Sequence, residues 1–274
     1  MRALLLLFGV AVLALPSCVL TRDGVVSLER AMVYQPSGPH PDTWHQPGLH
    51  YEEVHFNSAD ETTLYGWYCP VEKPRGHVLF CHGNGGNVTF LWPDLRLLTE
   101  KLNVSVLAFD YRGYGRSQGR PSERGLLADA RAARRELATQ AGVAESQVVL
   151  MGRSLGGAVA VDLAAKDGAR ALILESTFTS LPAVANDDLP LWPGLLMFSR
   201  YNSLEKIGDY HGPLLFAHGD ADKIVPFAQG QRLFAAANEP KKFVRIQGAD
   251  HNFEPTEDYI QELDQFLASL PSEE

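Results

Sequence analysis

Apolar residues follow two alternating patterns from Tyr51 to the end of the chain. Short, nearly continuous apolar runs predict strands that are buried on both faces. Longer stretches place apolar residues at helical spacing, with arginines on the opposite face of the segment 126–137. Alternating strands and helices predict a mainly parallel sheet with helices on both faces. The eight predicted strands are residues 54–56, 64–68, 77–81, 104–109, 148–151, 171–174, 214–217 and 243–246, and the predicted helices are residues 126–137, 155–164 and 260–270.

The N-terminus has a different pattern, with one arginine and then a short apolar stretch up to residue 15. This stretch is shorter than the roughly 20 apolar residues that a membrane-spanning helix needs, so it predicts a signal peptide at residues 1–17. The run Leu-Pro-Ser-Cys ending at Cys18 resembles the lipobox of bacterial lipoproteins. That resemblance implies lipidation of Cys18 and a membrane anchor in the bacterial cell envelope. Ordinary cleavage after Ala14 and an uncleaved anchor are the alternatives.

Proline, glycine and histidine are frequent between the predicted signal peptide and the first strand. This composition predicts a tether at residues 18–49, followed by the folded domain at residues 50–271. His50 and His55 are separated by an odd number of positions, so a shared strand would place them on opposite faces. We therefore predict no metal site, and no other cofactor motif is evident.

Composition narrows the function classes further. With 274 residues, of which 45% are hydrophobic and 21% charged, the chain can bury a full core as one domain. The net charge of −9 comes without a run of lysines and arginines, which argues against nucleic acid as a partner. A small or lipid-like substrate fits this composition.

The pattern Gly-x-Ser-x-Gly occurs twice, around Ser117 and around Ser154. A nucleophilic serine of this type needs a sharp turn between a strand and a helix, which holds the serine above the sheet. Ser154 follows the predicted strand 148–151 and precedes the predicted helix 155–164. Ser117 lies in a glycine-rich loop ahead of Pro121, without a strand or a helix beside it. The context therefore favours Ser154 as the nucleophile.

A serine nucleophile needs a histidine base that a carboxylate orients. His251 lies just after the last predicted strand and is the candidate base, with a solvent-facing loop histidine as the alternative. Asp222 and Asp220 both follow the preceding strand, and Glu175 follows the sixth strand. These three carboxylates are the candidate acids.

The oxyanion of an acyl-transfer intermediate is usually stabilised by backbone N–H groups. The residue after the nucleophile, Leu155, should supply one of them, and the glycine-rich loop 82–87 should supply another. Asn84 is the candidate donor in that loop. A phosphate-binding loop is the alternative, but the Gly-Lys-Ser/Thr ending of such loops does not occur here.

Several motifs together resemble the α/β-hydrolase-domain-containing serine hydrolases, which are related to the serine aminopeptidase-like hydrolases. The resemblance implies the α/β-hydrolase fold and hydrolysis of acyl esters or thioesters through an acyl-enzyme, without a cofactor. It favours Asp222 as the acid, because the pattern His-Gly-x-x-Asp-x-x-Val-Pro surrounds the triad acid in this family. The motifs are residues 82–87, 110–117, 121–123, 152–157 and 218–226.

The same family includes protein depalmitoylases, lysophospholipid and monoacylglycerol hydrolases, and bacterial esterases. The lipobox-like N-terminus differs from the eukaryotic members, so we do not transfer a lipidated-protein substrate to this chain. An aminopeptidase-like amide hydrolase and a binding protein without catalysis on the same fold are the alternative functions. The intact set of serine, acid and histidine argues against the second alternative.

The family fold also bears on the cysteines and on the substrate pocket. Its fourth strand separates the strands that end at Cys69 and Cys81, so we predict no disulfide between them. The insertion after the sixth strand is short, which predicts a small cap and an open pocket. Apolar residues in the cap and after the loop 82–87 are predicted either to pack onto the sheet or to contact an acyl chain. The candidate pocket residues are Phe90, Trp92, Trp192 and Phe198.

Overall fold

A computed structural model describes residues 29–31, 33–38, 46, 48–188 and 197–271. The predicted signal peptide, Cys18 and Trp192 lie outside the described residues. Among the helices that are described, none is both long and apolar enough to cross a membrane.

Eight strands form one sheet in the order β1-β2-β4-β3-β5-β6-β7-β8. β2 is antiparallel to both of its neighbours, β1 and β4, and every other pair is parallel. This arrangement confirms the predicted mainly parallel sheet and the α/β-hydrolase fold. The strands are β1 (Glu52–Asn57), β2 (Thr63–Cys69), β3 (His77–Cys81), β4 (Ser105–Asp110), β5 (Val148–Arg153), β6 (Ala171–Glu175), β7 (Leu214–Gly219) and β8 (Lys241–Ile246).

Helices cover both faces of the sheet, because the central strands are apolar on both faces. One hydrophobic cluster joins the sheet to α2, α3 and α6, and a second joins the other face to α1 and α7. In the described part of the chain, three 3₁₀ turns (Val88–Leu91, Glu145–Gln147 and Ile207–Asp209) and one π-helical turn (Leu97–Lys101) connect or extend these elements. The helices are α1 (Trp92–Arg96), α2 (Glu123–Ala141), α3 (Leu155–Asp167), α4 (Leu181–Asp188), α5 (Ser203–Lys206), α6 (Phe227–Ala236) and α7 (Glu257–Ser269).

The strand order separates the two described cysteines. Cys69 ends β2 and Cys81 ends β3, and β4 lies between these strands in the sheet. Both thiols are free, as the family fold predicts, and both are buried. Burial raises the pKa of each thiol to about 12, so both remain protonated near neutral pH.

The described residues 29–31 and 33–38, which we call the N-terminal segment, lie within the region predicted as a tether. They pack against the domain. Tyr34 is 3% exposed, and its hydroxyl group hydrogen-bonds to Ser199 and Tyr201. Pro36 forms a β-bridge with Gly86. The composition of this region is typical of a loop, but backbone and side-chain hydrogen bonds fix it on the surface of the fold.

Two carboxylates, one buried and one half-buried, bind the chain at residues 198–201, just after the cap. Glu29 accepts hydrogen bonds from the N–H groups of Phe198 and Ser199, each at 2.6 Å. Glu123, at the start of α2, accepts from the N–H groups of Arg200 and Tyr201 at 2.6 and 3.0 Å. Four successive N–H groups of residues 198–201 are therefore bound by carboxylates that lie far away in the sequence.

Candidate active site

Ser154 occupies the sharp turn between β5 and α3. Its backbone dihedrals are φ 55° and ψ −118°, a combination that a non-glycine residue adopts only when its surroundings impose it. Ser154 N–H donates to the carbonyl oxygen of Glu175, and the hydroxyl of Thr177 donates to the carbonyl oxygen of Ser154. These bonds to the neighbouring strand's end fix the strained turn.

The glycines on either side of Ser154 permit close backbone packing. A Cβ atom on Gly156 would lie 2.0 Å from the carbonyl oxygen of Cys81, and one on Gly152 would lie 2.3 Å from that of Gly156. Neither position can hold a side chain without moving the backbone of β3 or of the turn. The Gly-x-Ser-x-Gly pattern is therefore a steric requirement of this turn.

His251 and Asp222 complete a hydrogen-bonded series with Ser154. The Nε2 atom of His251 lies 3.0 Å from Ser154 Oγ, and its Nδ1 atom lies 2.7 Å from Asp222 Oδ2. An ionised carboxylate only accepts hydrogen bonds, so Nδ1 carries the proton and Nε2 is free to accept the serine proton. Loops after β8 and β7 bring these two side chains to the turn after β5. The structure thus brings together the three residues that are predicted from the sequence.

Asp222 is held as a carboxylate by several donors. Burial alone would raise its pKa, but hydrogen bonds from His218 and His251 and the N–H groups of the following residues hold it well below its usual value. His218 is fully buried, and its Nε2 atom lies 3.0 Å from the carbonyl oxygen of Val225 and 3.2 Å from Asp222 Oδ2. Since both neighbours are acceptors, Nε2 carries a proton. His218 begins the motif that contains Asp222, but no role for it is predicted from the sequence.

The two alternative acids bind elsewhere. Asp220 hydrogen-bonds to Arg245 and to the N–H group of Gly248. Glu175 accepts from Arg153 Nε and from the Tyr259 hydroxyl, each at 2.7 Å. Both carboxylates stabilise the frame of the site, and Asp222 is the acid of the three that hydrogen-bonds to His251.

Ser117 has a different environment from Ser154. It lies in the loop between β4 and α2, where it is 9% exposed. Its hydroxyl donates to the carbonyl oxygen of Asp110 at 2.6 Å and accepts from the N–H group of Tyr65 at 2.9 Å. The side chain thus joins the loop to β2 and β4, as a structural residue does.

The loop 82–87 passes directly beside the nucleophile. A Cβ atom on Gly83 would lie 3.4 Å from Ser154 Cβ, so the backbone here approaches the serine closely. The side-chain oxygen of Asn84 accepts from Tyr114 Oη and from the N–H groups of Gln35 and Gly85, while its Nδ2 atom donates to the carbonyl oxygen of Val33 at 2.6 Å. These bonds engage the carboxamide oxygen and one of the two amide hydrogens, and they fix the loop beside the serine. Leu155 begins α3, where helical N–H groups lack intrahelical partners.

Comparisons with known proteins agree with the fold. A sequence profile of the alpha/beta hydrolase family matches residues 78–200. An uncharacterized protein of Mycobacterium tuberculosis is 41% identical over 241 residues, which cover 85% of each chain. Alpha/beta hydrolase domain-containing protein 17B of Xenopus laevis is 34% identical over 73% of this chain and 68% of its own length. The chain belongs to the alpha/beta hydrolase family. An esterase of Pyrococcus furiosus has a similar fold, with a TM-score of 0.71 at 19% identity over 86% of this chain and 97% of the esterase.

A cavity of about 600 Å³ opens beside the hydrolase's Ser154 and His251. Its volume lies within the range of small-molecule sites. The described lining combines apolar side chains with a few side-chain amides. The apolar lining consists of Val33, Phe90, Leu91, Leu155, Phe178, Leu181, Val184, Ile224 and Val225, and the amides are Gln35, Asn84, Asn87 and Asn252.

Charges in the cavity wall are compensated. The guanidinium group of Arg153 binds Asp94 and Glu175. His82 is 2% exposed, and burial lowers its pKa to about 4, so it is neutral near pH 7. A neutral substrate therefore meets no unpaired charge from these two side chains.

The predicted pocket residues differ in their position relative to the cavity. Phe90 lines the cavity and is 65% exposed, with its ring over Gly86. Trp92 and Phe198 are not among the described lining residues. Asp94 and Leu95 are the buried residues of α1, and Trp92 at its start is 36% exposed. Buried and exposed residues alternate over 197–201, and Phe198 is 52% exposed. A contact of these two side chains with substrate stays a prediction.

Proposed function

We propose that the chain is a serine hydrolase that cleaves carboxylic ester or thioester bonds of small acyl substrates through an acyl-enzyme. The observation that carries this proposal is the unbroken hydrogen-bonded series Asp222–His251–Ser154 at the wall of the cavity. A serine hydroxyl is a poor nucleophile until a base removes its proton. In this site the base lies within reach of the hydroxyl, and a carboxylate fixes its tautomer.

The first half-reaction forms the acyl-enzyme. Ser154 Oγ attacks the carbonyl carbon while its proton passes to His251 Nε2, and Asp222 stabilises the resulting imidazolium. The N–H groups of Leu155 and Asn84 hydrogen-bond to the oxyanion that forms on the carbonyl oxygen. His251 then gives its proton to the departing alcohol or thiol as the tetrahedral intermediate collapses.

The second half-reaction uses water in place of the serine. Water gives a proton to His251 Nε2 as its oxygen attacks the acyl carbon, and the carboxylic acid leaves as Ser154 Oγ regains a proton. Every proton transfer passes through His251, so the scheme needs no metal or organic cofactor.

The cavity favours short to medium acyl groups. Its volume of about 600 Å³ accommodates a small ester, and the apolar wall beside the cap suits a hydrocarbon chain. A series of p-nitrophenyl esters from acetate to decanoate tests this, alongside thioesters and aminoacyl amides of matched acyl groups. We expect turnover of esters with an optimum at short or medium length, and turnover of no ester at any length would contradict the proposal. Preferential cleavage of aminoacyl amides would instead support the peptidase alternative.

We further propose that the hydrolase is a membrane-anchored lipoprotein of the bacterial cell envelope, with lipid on Cys18. The lipobox-like run before Cys18 supports this assignment. Metabolic labelling with a palmitate analogue should label the wild type and not Cys18→Ser. Equal labelling of the two proteins, or labelling of neither, would contradict the anchor.

A further inference from the structure

The N-terminal segment contributes directly to the cavity beside Ser154. Val33 and Gln35 both line it, although they lie more than one hundred residues before the nucleophile in the sequence. Val33 is half-buried and packs against the same hydrophobic cluster as Phe178 and Val184 of the cap side. The apolar wall is thus continuous from the cap to the N-terminal segment.

Hydrogen bonds hold this segment in place on two sides. On the side of the nucleophile, the carboxamide of Asn84 donates to Val33 O at 2.6 Å and accepts from Gln35 N at 3.0 Å. Further along, the N–H group of Gly115 donates to Ser37 O at 3.0 Å. On the side of the cap, Glu29 and Tyr34 bind residues 198–201. A wall fixed in this way has a defined distance from the reacting serine.

We propose that Val33 is a specificity-determining residue that limits the acyl chain accepted at Ser154, with the N-terminal segment as one wall of the acyl site. This inference rests on the proposed serine hydrolase function. Because the neighbouring lining is apolar, the segment of substrate that contacts Val33 is hydrocarbon. The side chain's volume then sets how much chain the cavity holds.

Substitutions that change only this volume test the inference. In the series of p-nitrophenyl esters, Val33→Trp should lower kcat/KM for octanoate relative to acetate by about 10-fold or more, a typical effect of pocket volume. Val33→Ala should shift the ratio in the opposite direction. Ala31→Trp is the matched control, because Ala31 is exposed on the same segment and outside the described lining. An unchanged ratio in both Val33 variants, with an active wild type, would overturn the inference.

Covalent occupation of Ser154 gives a second measurement that does not depend on turnover. Cys69 and Cys81 are buried, so in a Cys18→Ser background an introduced Val33→Cys is the thiol that maleimide should reach. A decyl phosphonate on Ser154 should slow its labelling by about 10-fold or more, and an ethyl phosphonate much less. Ala31→Cys should label at the same rate with either. Equal rates for Val33→Cys with both phosphonates would refute the contact, whereas a wild type that no fluorophosphonate labels would refute the hydrolase function itself.

Discussion

Ser154 and Ser117 share the pattern Gly-Arg-Ser-x-Gly, yet the two regions have opposite properties. Ser154 lies between a strand and a helix with a strained φ of 55°, and its hydroxyl lies 3.0 Å from His251 Nε2 at a cavity. Ser117 lies in a loop, where its hydroxyl makes two hydrogen bonds to backbone groups. The first hydroxyl has a base as its neighbour, and the second is used to join strands. The elements on either side of the motif therefore decide whether the serine hydroxyl lies beside a base at a cavity or joins two strands.

The aspartates of the two regions differ in the same way. Asp222 faces two histidines, which hold its pKa below the usual value although burial opposes them. Asp110 supports the Ser117 loop by accepting from the N–H groups of Val88 and Arg116. Burial outweighs these bonds and raises the pKa of Asp110 to about 6. One carboxylate is thus kept ionised for the site, while the other keeps its proton up to a higher pH than an ordinary aspartate.

Replacing the two serines tests the comparison most strongly. Ser154→Ala should lower kcat for the preferred ester by about 10⁵-fold or more, because it removes the nucleophile. Initial rates and labelling by a fluorophosphonate probe measure this loss, and the free energy of unfolding should stay nearly constant. Retained labelling of Ser154→Ala would show that another residue reacts.

Replacing the triad acid should have the next largest effect. Asp222→Asn should lower kcat by about 10⁴-fold, because the amide no longer fixes the His251 tautomer. Asp220→Asn is the matched control two residues away, and its kcat should change little. A similar loss of kcat in both variants would show that activity depends on the loop as a whole and not on the Asp222 carboxylate in particular.

Stability should depend on pH with opposite signs at the two aspartates. Since the pKa of Asp110 is raised, its contribution is complete below about pH 4 and is lost as the pH rises through about 6, by about 3 kcal/mol. The free energy of unfolding of the wild type minus that of Asp110→Asn should fall accordingly between pH 4 and pH 7 in urea titrations. For Asp222, whose pKa is lowered, the corresponding difference should fall as the pH decreases below about 4. Parallel slopes for the two variants would contradict the contrast.

Ser117→Ala should have the smallest effect. It leaves the buried N–H group of Tyr65 without the serine oxygen, which should lower the free energy of unfolding by about 2 kcal/mol. The fluorophosphonate labelling and kcat of the folded variant should remain within about threefold of the wild type. A large loss of kcat without a loss of stability would give Ser117 a part in the chemistry.

The fold was predictable because burial on both faces makes the strands nearly continuous apolar runs. β3 has the predicted bounds of residues 77–81, whereas β8 starts two residues earlier than predicted, at two lysines on the edge of the sheet. α6 was not predicted, and Gly230 within it weakens the helical pattern. A Cβ atom there would lie 2.2 Å from the Nδ1 atom of His218, so tertiary packing imposes the glycine.

The candidate triad could be read from local context, because each member follows a strand at the same edge of the sheet. Val33, Gln35 and His218 could not. Backbone groups of the first two hydrogen-bond to the Asn84 side chain, and these bonds hold both residues at the cavity. A hydrogen bond made by a backbone group leaves no pattern in the sequence. His218 looks like an ordinary buried residue of β7 until the positions of Val225 and Asp222 are known.

The carboxylates of Glu29 and Glu123 have a consequence for local unfolding. They bind the N–H groups of residues 198–201, so these amide protons can exchange with solvent only when the hydrogen bonds to the carboxylates break. Release of Glu29 frees the N–H groups of Phe198 and Ser199 together, because one carboxylate binds both. Amide exchange at these two residues should therefore report how often the start of the N-terminal segment separates from the chain after the cap, while Asn84 still holds Val33 and Gln35.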